Sequence, residues 1–387
     1  MTLKIARRGQ VPPFIVMDVM QAAAAREQAG EAVLHLEVGQ PSTGAPTAVL
    51  AAAKAALDAD KMGYTLALGV PELRSAIADH YHDWYQLSPG AERIAVTTGS
   101  SSGFTLAFLA AFEAGDRVAL ASPGYPAYRN ILTALGIEVV DLLTGPEDRF
   151  QPTPALLAAL PQPIDGLIIA SPANPTGTMI AAAEMAALVG YCEQQGIRLI
   201  SDEIYHGISF GAPAVSALAF SDNVIVINSF SKYFSMTGWR LGWMVLPADL
   251  VRPVECLAQN LFISAPTLSQ LAAVAAFGAA EELDQNVVRY ARNRAILLND
   301  LPAAGLTDLA PADGAFYIYA DVSAYTDDSA AFCRQMLRQI GIACTPGTDF
   351  DPRRGHQTVR FSFAGASDDM AEAARRLKTW LKNLPLA

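Results

Sequence analysis

The sequence has few residues of the kinds that hold metals, cross membranes or bind polyanions. Within 387 residues the four cysteines form no close pair, so neither a zinc site nor a disulfide framework is indicated; they are Cys192, Cys256, Cys333 and Cys344. A reducing compartment is the simple inference, and we expect a cytoplasmic protein. The alanine-rich run 271–280 is too short to span a bilayer, and residues 1–10 lack the apolar segment of a secretory signal. The net charge of −11 argues against nucleic acid or an anionic membrane as a partner.

Two nucleotide-binding fingerprints are also missing. The chain has no G-x-G-x-x-G motif and no Walker loop, which counts strongly against a nicotinamide dehydrogenase. The five histidines show no metal-ligand spacing. Any anion site must therefore be a local pocket of hydrogen-bond donors.

The middle of the chain alternates strand-like and helix-like segments. Short apolar runs lie at 117–122, 137–142, 167–171, 197–202 and 224–228, and helical patterns lie at 102–113, 125–135 and 181–195. This alternation predicts an α/β fold with a mostly parallel sheet covered on both faces. In such sheets ligands bind beyond the carboxyl ends of the strands. The polar residues at those ends, which we expect to converge, are Ser122, Ser171, Asp202 and Ser229.

The last hundred or so residues follow a different pattern. A long charged helix is predicted over 281–300, and short strands follow near 314–319, 341–345 and 358–363. This pattern is typical of an α+β layer, and the chain length suits one large and one smaller domain.

The most informative stretch is 229–240, a polar turn between two buried strands. It holds Lys232, the serines Ser229 and Ser231, and Arg240. Two hydroxyls and a guanidinium around an amine suit a dianionic phosphate beside a carbonyl that the lysine captures as a Schiff base. A lone loop lysine is more often simply solvated, so this interpretation needs partners elsewhere.

Two other segments that follow strands offer such partners. Residues 97–103 open a helix whose free N–H groups and serine hydroxyls, Ser100 and Ser101, make an anion site, although serine at a helix start is usually only a cap. Tyr125 begins the next helical segment and could stack on a flat heterocycle. Ordinary core packing explains Tyr125 equally well.

Asn174 and Asp202 supply polar groups at two further strand ends. Two prolines within 171–177 aim the Asn174 amide out of a turn. Asp202 ends a buried strand, where a carboxylate is costly unless it meets a cation, such as a protonated pyridine nitrogen. Tyr205 would then reach the phenolic side of the same ring. Taken singly, Asp202 is better explained as a helix N-cap, but together these residues complete a pyridoxal-phosphate site.

In the order and spacing of these motifs the chain resembles the class I/II aminotransferases, which are fold-type I pyridoxal-phosphate enzymes, over nearly its whole length. The segments that carry the resemblance are 36–41, Tyr64, 69–74, 171–177, 201–205, 229–243 and 359–363. The resemblance implies a seven-stranded, mostly parallel sheet in a large cofactor-binding domain, residues 46–280. It implies a small domain formed by residues 1–45 together with 281–387.

The resemblance also assigns the cofactor contacts. Lys232 would hold pyridoxal 5'-phosphate covalently and then move a proton between substrate and cofactor carbons. Asp202 would bond the ring nitrogen, and Asn174 and Tyr205 the phenolate oxygen.

Substrate and partner contacts follow from the same resemblance. Arg360 would bind the substrate α-carboxylate, and strand alternation supports this because Val359 and Phe361 fall on the opposite face. Gly39 would approach the same carboxylate through its backbone. Tyr64 would reach the cofactor phosphate of the neighbouring subunit, which implies a homodimer with shared sites.

The implied activity is transfer of the α-amino group of an amino acid to a 2-oxo acid by a ping-pong mechanism. Aspartate, alanine, aromatic and branched-chain donors stay open, because serines follow Gly99 where some aspartate-active relatives carry a lysine. Asp351 stands where relatives commonly have glycine, and the sequence offers no functional reason for it.

Two alternative functions share the scaffold. A carbon–sulfur β-lyase or an aminocyclopropane-carboxylate-type lyase would use the same lysine and cofactor. A cofactor-sensing domain that regulates transcription is disfavoured, because no basic helix-turn-helix module precedes the core.

Overall fold

A seven-stranded sheet forms the centre of the computed structural model, which describes residues 3–60 and 62–384. The strands, in chain order, are β1 (Leu34–His35), β2 (Ile94–Thr97), β3 (Arg117–Ser122), β4 (Glu138–Leu143), β5 (Gly166–Ala170), β6 (Arg198–Asp202), β7 (Ile225–Ser229), β8 (Gly242–Val245), β9 (Tyr317–Asp321), β10 (Ile342–Ala343), β11 (Thr345–Pro346) and β12 (Thr358–Ser362). The order across the central sheet is β2-β8-β7-β6-β5-β3-β4. The five adjacent strands β7, β6, β5, β3 and β4 run parallel to one another, and β8 is antiparallel to both of its neighbours, β7 and β2. The predicted α/β fold with a mostly parallel sheet is therefore confirmed.

Helices connect these strands and close the molecule around them. They are α1 (Ile15–Gln28), α2 (Thr47–Asp58), α3 (Pro71–Tyr85), α4 (Gly99–Ala111), α5 (Pro126–Leu135), α6 (Pro154–Ala158), α7 (Ala182–Gln195), α8 (Ala248–Leu261), α9 (Thr267–Ala273), α10 (Ala280–Ala304), α11 (Ser329–Ile340) and α12 (Ser367–Leu381). Proline occupies the first turn of α3 and α5, where its missing N–H costs no hydrogen bond.

Both faces of the central sheet are buried, each in a different apolar core. Along β7, Ile225 and Ile227 pack on one side with Phe104 of α4, whereas Val226 packs on the other with Leu188 of α7. Side chains alternate between the faces of a strand, so a strand covered on both sides must be apolar throughout. This explains why the strands read as continuous apolar runs in the sequence.

The C-terminal part of the chain forms a second layer, joined by the N-terminal segment. Strands β11, β12 and β9 make an antiparallel sheet, and β1 pairs with β10 in parallel. Helix α10 packs on α12 and extends beyond the predicted 281–300, because Pro302 lies in its last turn without ending it. The register of β12 sets Arg360 opposite Tyr319 on one side and Thr345 on the other.

The cysteines are free thiols, and two of them approach each other in a way that sequence spacing does not show. The Sγ atoms of Cys333 and Cys344 lie 3.4 Å apart in the core. Across residues 3–60 and 62–384, no group of three or more His, Cys, Asp or Glu side chains could hold a metal ion. Over the same ranges, none of the helices combines the length and the apolarity that a membrane span requires.

Candidate active site

A cavity of about 500 Å³ opens at the carboxyl ends of the parallel strands. Its walls include Ala170 and Asp202 from the ends of β5 and β6, and Tyr317 and Arg360 from β9 and β12. The predicted residues that line it are Gly39, Ser100, Ser101, Tyr125, Asn174, Asp202, Tyr205, Ser231, Lys232, Arg240 and Arg360. A larger cavity of about 630 Å³ lies between 144–150 and 307–311 and contains none of the predicted residues.

Four predicted residues, Ser122, Ser171, Ser229 and Tyr64, do not line this cavity. Ser122 and Ser171 are buried, and the Ser171 Oγ accepts a hydrogen bond from the Ile180 N–H group at 3.0 Å. The Ser229 hydroxyl is buried behind Ser231, within 2.9 Å of its Oγ, and also 3.2 Å from the Leu241 carbonyl oxygen. Tyr64 is 84% exposed on the surface of the chain. Ser229 therefore supports another serine, and Tyr64 makes no contribution to the site of its own subunit.

Lys232 lies at the centre of the cavity with its amine turned inward. Its Nζ donates a hydrogen bond to the Gly39 carbonyl oxygen at 2.6 Å and lies 5.6 Å from the centre of the Tyr205 ring. Burial is the largest cause that lowers the pKa of Lys232, and with the nearby Arg360 and Arg240 cations it brings the pKa to about 8 against the raising effect of Asp202. A larger fraction of this amine is therefore unprotonated near neutral pH than of an ordinary lysine.

Asp202 is a buried carboxylate that faces Lys232 from the end of β6. It is 3% exposed, and it accepts hydrogen bonds from the Tyr128 hydroxyl and, at 3.1 Å, from the Ile204 N–H group. Burial raises its pKa to about 6, against the lowering effects of Tyr128, Ile204 and Lys232. The residues after it form a turn and not a helix, so the N-cap explanation of Asp202 is wrong.

The start of α4 and the turn after β7 form a cradle of donors. Helix α4 begins at Gly99, which places Ser100 and Ser101 in its first turn, where N–H groups have no intrahelical acceptor. Arg240 lies against this helix start, since a Cβ at Gly99 would come within 2.5 Å of its Nη2. Glycine there also permits the positive φ of 73°. These donors can receive a phosphate group.

Arg360 is held at the opposite end of the cavity and is 3% exposed. Its Nη1 donates to Asn174 Oδ1 at 2.8 Å, and its Nη2 donates to the Glu37 carbonyl oxygen at 2.5 Å. The guanidinium packs against two aromatic rings, 4.3 Å from the centre of Tyr317 and 4.6 Å from that of Phe350. Its Nε is buried and has no hydrogen-bond partner among the residues that the structure describes, so this edge can still donate to an anionic ligand.

Gly39 and Tyr205 meet Tyr317 beside the lysine. The hydroxyls of Tyr205 and Tyr317 are 2.6 Å apart. A Cβ at Gly39 would come within 1.8 Å of the Tyr317 hydroxyl, so glycine is required at this position. The group that excludes a side chain at position 39 is the Tyr317 ring with its hydroxyl.

The sequence analysis did not identify the apolar residues that line one part of the cavity, which we call the apolar cover. Phe14, Met17 and Met20 of the α1 segment and Val38 line the same cavity. Their side chains are ordinary apolar residues with no local feature that distinguishes them from core residues. Tyr128 was also missed, although its position three residues after Tyr125 in a helix start was a usable indication.

The residues present fit pyridoxal phosphate. The buried Asp202 carboxylate faces the cavity, and Lys232 is the cation that lowers its pKa. The start of α4 and Arg240 provide hydrogen-bond donors for a phosphate. Lys232 supplies the amine between them, and the unpartnered Arg360 Nε lies beyond it. This fold and this set of side chains define a pyridoxal-phosphate enzyme of fold type I.

Comparisons with known proteins agree with the site. The family described as aminotransferase class I and II matches residues 31–377. A valine–pyruvate aminotransferase of Mycobacterium tuberculosis is 54% identical over 98% of this chain and 99% of its own length. A (5-formylfuran-3-yl)methyl phosphate transaminase of Methanocaldococcus jannaschii is 32% identical over 95% of this chain and 96% of its own length. The crystal structure of an aminotransferase from Mycobacterium tuberculosis, 54% identical, superposes with a TM-score of 0.97 over 98% of this chain and all of that chain.

The chain belongs to the class I and II aminotransferase family. It is an enzyme that transfers amino groups between amino acids and 2-oxo acids with pyridoxal 5'-phosphate as cofactor. The predicted family, fold, activity and cofactor are confirmed, and the lyase alternative is not favoured.

Proposed function

We propose that the donor has a small apolar side chain, as in valine or alanine, and that pyruvate is an acceptor. The observation that carries this proposal is the apolar cover formed by Phe14, Met17, Met20 and Val38 over the lysine. Among the described residues, the cations that line the cavity are Lys232, Arg240 and Arg360, and each has a role at the amine, phosphate or α-carboxylate. A second carboxylate on the donor would find no further cation among the described residues that line the cavity.

The apolar cover is firmly attached to the rest of the site. The Asp349 carboxylate accepts hydrogen bonds from the N–H groups of Ile15 at 3.0 Å and Val16 at 3.3 Å, which caps the start of α1. The Phe14 ring meets the Tyr125 ring edge-on at 5.8 Å. The name of the Mycobacterium tuberculosis relative, valine–pyruvate aminotransferase, supports the same substrate pair.

A donor panel tests the substrate class. With pyruvate as acceptor, we expect kcat/KM for valine and alanine to exceed that for aspartate. Met20→Lys places a cation in the cover and should lower kcat/KM for valine about tenfold while raising it for aspartate, with Met20→Leu as the control of matched volume. A wild-type enzyme that prefers aspartate would contradict the proposal.

We propose the following division of labour for the chemistry. Pyridoxal phosphate, when bound, supplies the electron sink that makes a Cα–H bond of the amino acid acidic. Lys232 Nζ would take the proton from Cα, since its lowered pKa leaves it able to act as a base near neutral pH. Asp202 would hold a proton on the ring nitrogen, where its charge is balanced in a buried place.

The remaining residues would bind and orient the cofactor and the substrate. We propose that Ser100, Ser101, Ser231 and Arg240 hold the phosphate, and that Asn174, Tyr205 and Tyr125 contact the ring. The free edge of Arg360 would bind the α-carboxylate with charge-assisted hydrogen bonds. Ser229 would act through Ser231, against which its hydroxyl lies.

We propose a homodimer in which Tyr64 completes the partner's site. Tyr64 and Leu66 are 84% and 62% exposed, and Leu261 and Ile263 are each 50% exposed. The two segments belong to one surface, because the Thr267 Oγ1 donates to the Gly63 carbonyl oxygen at 2.7 Å. Exposed apolar side chains on two neighbouring segments support an interface at this surface.

Subunit mixing tests the shared site. Tyr64→Ala and Lys232→Ala homodimers should each be impaired, and dissociating and reassociating them together should recover activity. Recovery is expected because a mixed dimer has one site with both residues intact and one with neither. Equilibrium sedimentation gives the subunit number, and a failure to recover activity in confirmed mixed dimers would contradict the role of Tyr64.

We propose that residues 46–280 form the large domain and that 1–45 with 281–387 form the small one. The pairing of β1 with β10 supports this grouping of the two chain ends. We place the enzyme in the cytoplasm, on the basis of its free cysteines. Limited proteolysis that releases a stable fragment with other boundaries would contradict the division.

A further inference from the structure

The turn around Asp351 has a structural purpose that its sequence does not reveal. The Asp351 carboxylate is 2% exposed and accepts hydrogen bonds from the N–H groups of Arg353 at 2.9 Å and Arg354 at 3.0 Å. Its other oxygen accepts a third from Arg354 Nε at 2.9 Å. Burial alone would raise the pKa of Asp351, but these hydrogen bonds lower it below the usual value. The carboxylate therefore fixes both the turn and the direction of the Arg354 side chain.

Arg354 in turn bridges to the edge of the central sheet. Its Nη2 donates to the carbonyl oxygens of Ser122 and, at 2.9 Å, of Thr144, which lie at the ends of β3 and β4. A backbone hydrogen bond of 3.0 Å runs alongside, from the Gly124 N–H group to the Phe350 carbonyl oxygen. Gly124 immediately precedes Tyr125. The turn is thus tied to the loop that carries the ring-facing tyrosine.

Phe350 connects this bridge to the substrate end of the site. It directly precedes Asp351, and its ring packs on the Arg360 guanidinium at 4.6 Å. The Tyr317 ring packs on the same guanidinium at 4.3 Å, so a displaced Phe350 would leave Arg360 with one of these two aromatic contacts. The chain of contacts from Asp351 through Arg354 and Phe350 ends on the group that binds the α-carboxylate.

We propose that Asp351 and Arg354 are positioning residues for catalysis, which hold Phe350 and thereby the Arg360 guanidinium in place relative to the Tyr125 loop. The inference rests on the proposed role of Arg360 in binding the α-carboxylate. Neither residue lines the active-site cavity, and both act through the geometry of another side chain. Glycine at position 351 could not provide this bridge, because it has no carboxylate to orient Arg354.

Arg354→Met is the direct test, because it keeps much of the side-chain volume and removes every hydrogen bond of the guanidinium. We expect KM for the amino donor and for the 2-oxo acceptor to rise together by about tenfold, with kcat changed by less than about twofold. Arg354→Lys should give an intermediate KM, since one amine cannot bond Asp351 and both carbonyls at once. Thermal unfolding of the cofactor-loaded variants establishes that they are folded at the assay temperature.

Arg353→Met is the matched control in the same turn. The Arg353 side chain is 63% exposed, and its nearest carboxylate oxygen, on Asp141, is 3.9 Å away. Its KM values should equal those of the wild type. An equal rise of KM in this control would overturn the proposal, because the effect would then not be specific to Arg354. A fall of kcat with unchanged KM in Arg354→Met would also overturn it. That result is the one expected from partial unfolding, which lowers the concentration of active enzyme and not its substrate affinity.

A double variant separates this inference from the function on which it rests. In an Arg360→Ala background, Arg354→Met should raise KM by less than about twofold, because the group through which it acts is gone. A full tenfold effect in that background would show that Arg354 acts elsewhere and would overturn the proposal. An Arg360→Ala enzyme with unchanged KM would overturn the carboxylate site itself, and this inference with it.

Discussion

The two ends of the active site are assembled in different ways. The end that we propose holds the cofactor comes from one edge of one sheet: Asp202 ends β6, and Ser231 and Lys232 lie just after β7. The substrate end joins distant parts of the chain, as the hydrogen bond from Arg360 to the Glu37 carbonyl oxygen spans 323 positions. Local chain order is enough to build the first end, whereas the second depends on how the chain termini meet the sheet.

The two ends also differ in charge. Asp202 is the carboxylate of the cofactor end, and burial raises its pKa to about 6. Arg360 is the cation of the substrate end, held by uncharged acceptors and two aromatic rings. Lys232 lies between them and responds to both, since Arg360 lowers its pKa and Asp202 raises it. Variants at the cofactor end should therefore lower kcat, and variants at the substrate end should raise KM.

The largest effect is expected at Lys232. Lys232→Ala removes both the covalent attachment and the base, and kcat should fall by about 10⁴-fold or more, while the phosphate donors still retain the cofactor. Borohydride reduction followed by peptide mass analysis should find the cofactor on Lys232 in the wild type and nowhere in the variant. The exposed Lys378→Ala serves as the control, and wild-type turnover in Lys232→Ala would refute the assignment.

Asp202→Asn should come second. The amide is nearly isosteric but cannot balance a proton on the ring nitrogen, so kcat should fall by roughly 10²- to 10³-fold. Single-turnover absorbance measurements follow the chemical step separately from product release. Asp222→Asn, whose side chain is 85% exposed, provides the control. If Asp202→Asn raised KM and left kcat unchanged, the proposed difference between the cofactor end and the substrate end would be contradicted.

Arg360→Lys should have a smaller and different effect. A lysine retains the charge but loses the planar, two-point donor geometry, so KM should rise by about ten- to a hundredfold. The rise should be the same for every amino acid, because each carries an α-carboxylate. Steady-state kinetics with valine, alanine and aspartate checks this. An effect confined to one donor would assign Arg360 to the substrate side chain instead.

The smallest effect is a shift in pH dependence that links the two ends. The neutral amine is the nucleophile, so cofactor attachment to the apoenzyme should accelerate as pH rises through about 8 and then level off, well below the ordinary lysine pKa of 10.5. Stopped-flow absorbance across the pH range gives the midpoint. Arg360→Met should move the midpoint up by removing a cation, and Asp202→Asn should move it down. Shifts in the opposite directions would contradict the proposed electrostatics.

The sequence predicts most of the residues that the structure brings together at the proposed cofactor end. Asp202, Asn174 and Lys232 each follow an apolar strand, and parallel strands bring their carboxyl ends to one edge whatever the detailed packing. Ser229 is the exception: it has the right position in the chain, but its side chain lies behind Ser231. Side-chain direction depends on the local turn, which residue identity alone does not specify.

The cover, the Asp351 bridge and the cysteine contact could not be predicted in the same way. Met20 reaches the site because Asp349 caps a helix more than 300 residues away. Cys333 and Cys344 meet because α11 packs against β10 and β11, and Cys344 lies between these two strands. None of these contacts has a periodic or spaced pattern along the chain.

The order of apolar runs and polar strand ends was enough by itself to define an α/β protein with an amine, a carboxylate and a phosphate cradle at one edge. That information is local, since hydrophobic periodicity and turn residues act over a few positions. The tertiary structure alone decided how the substrate end is closed, which residues support Arg360, and why Asp351 stands where it does. These features arise from contacts between segments that only the packed chain brings within hydrogen-bonding distance.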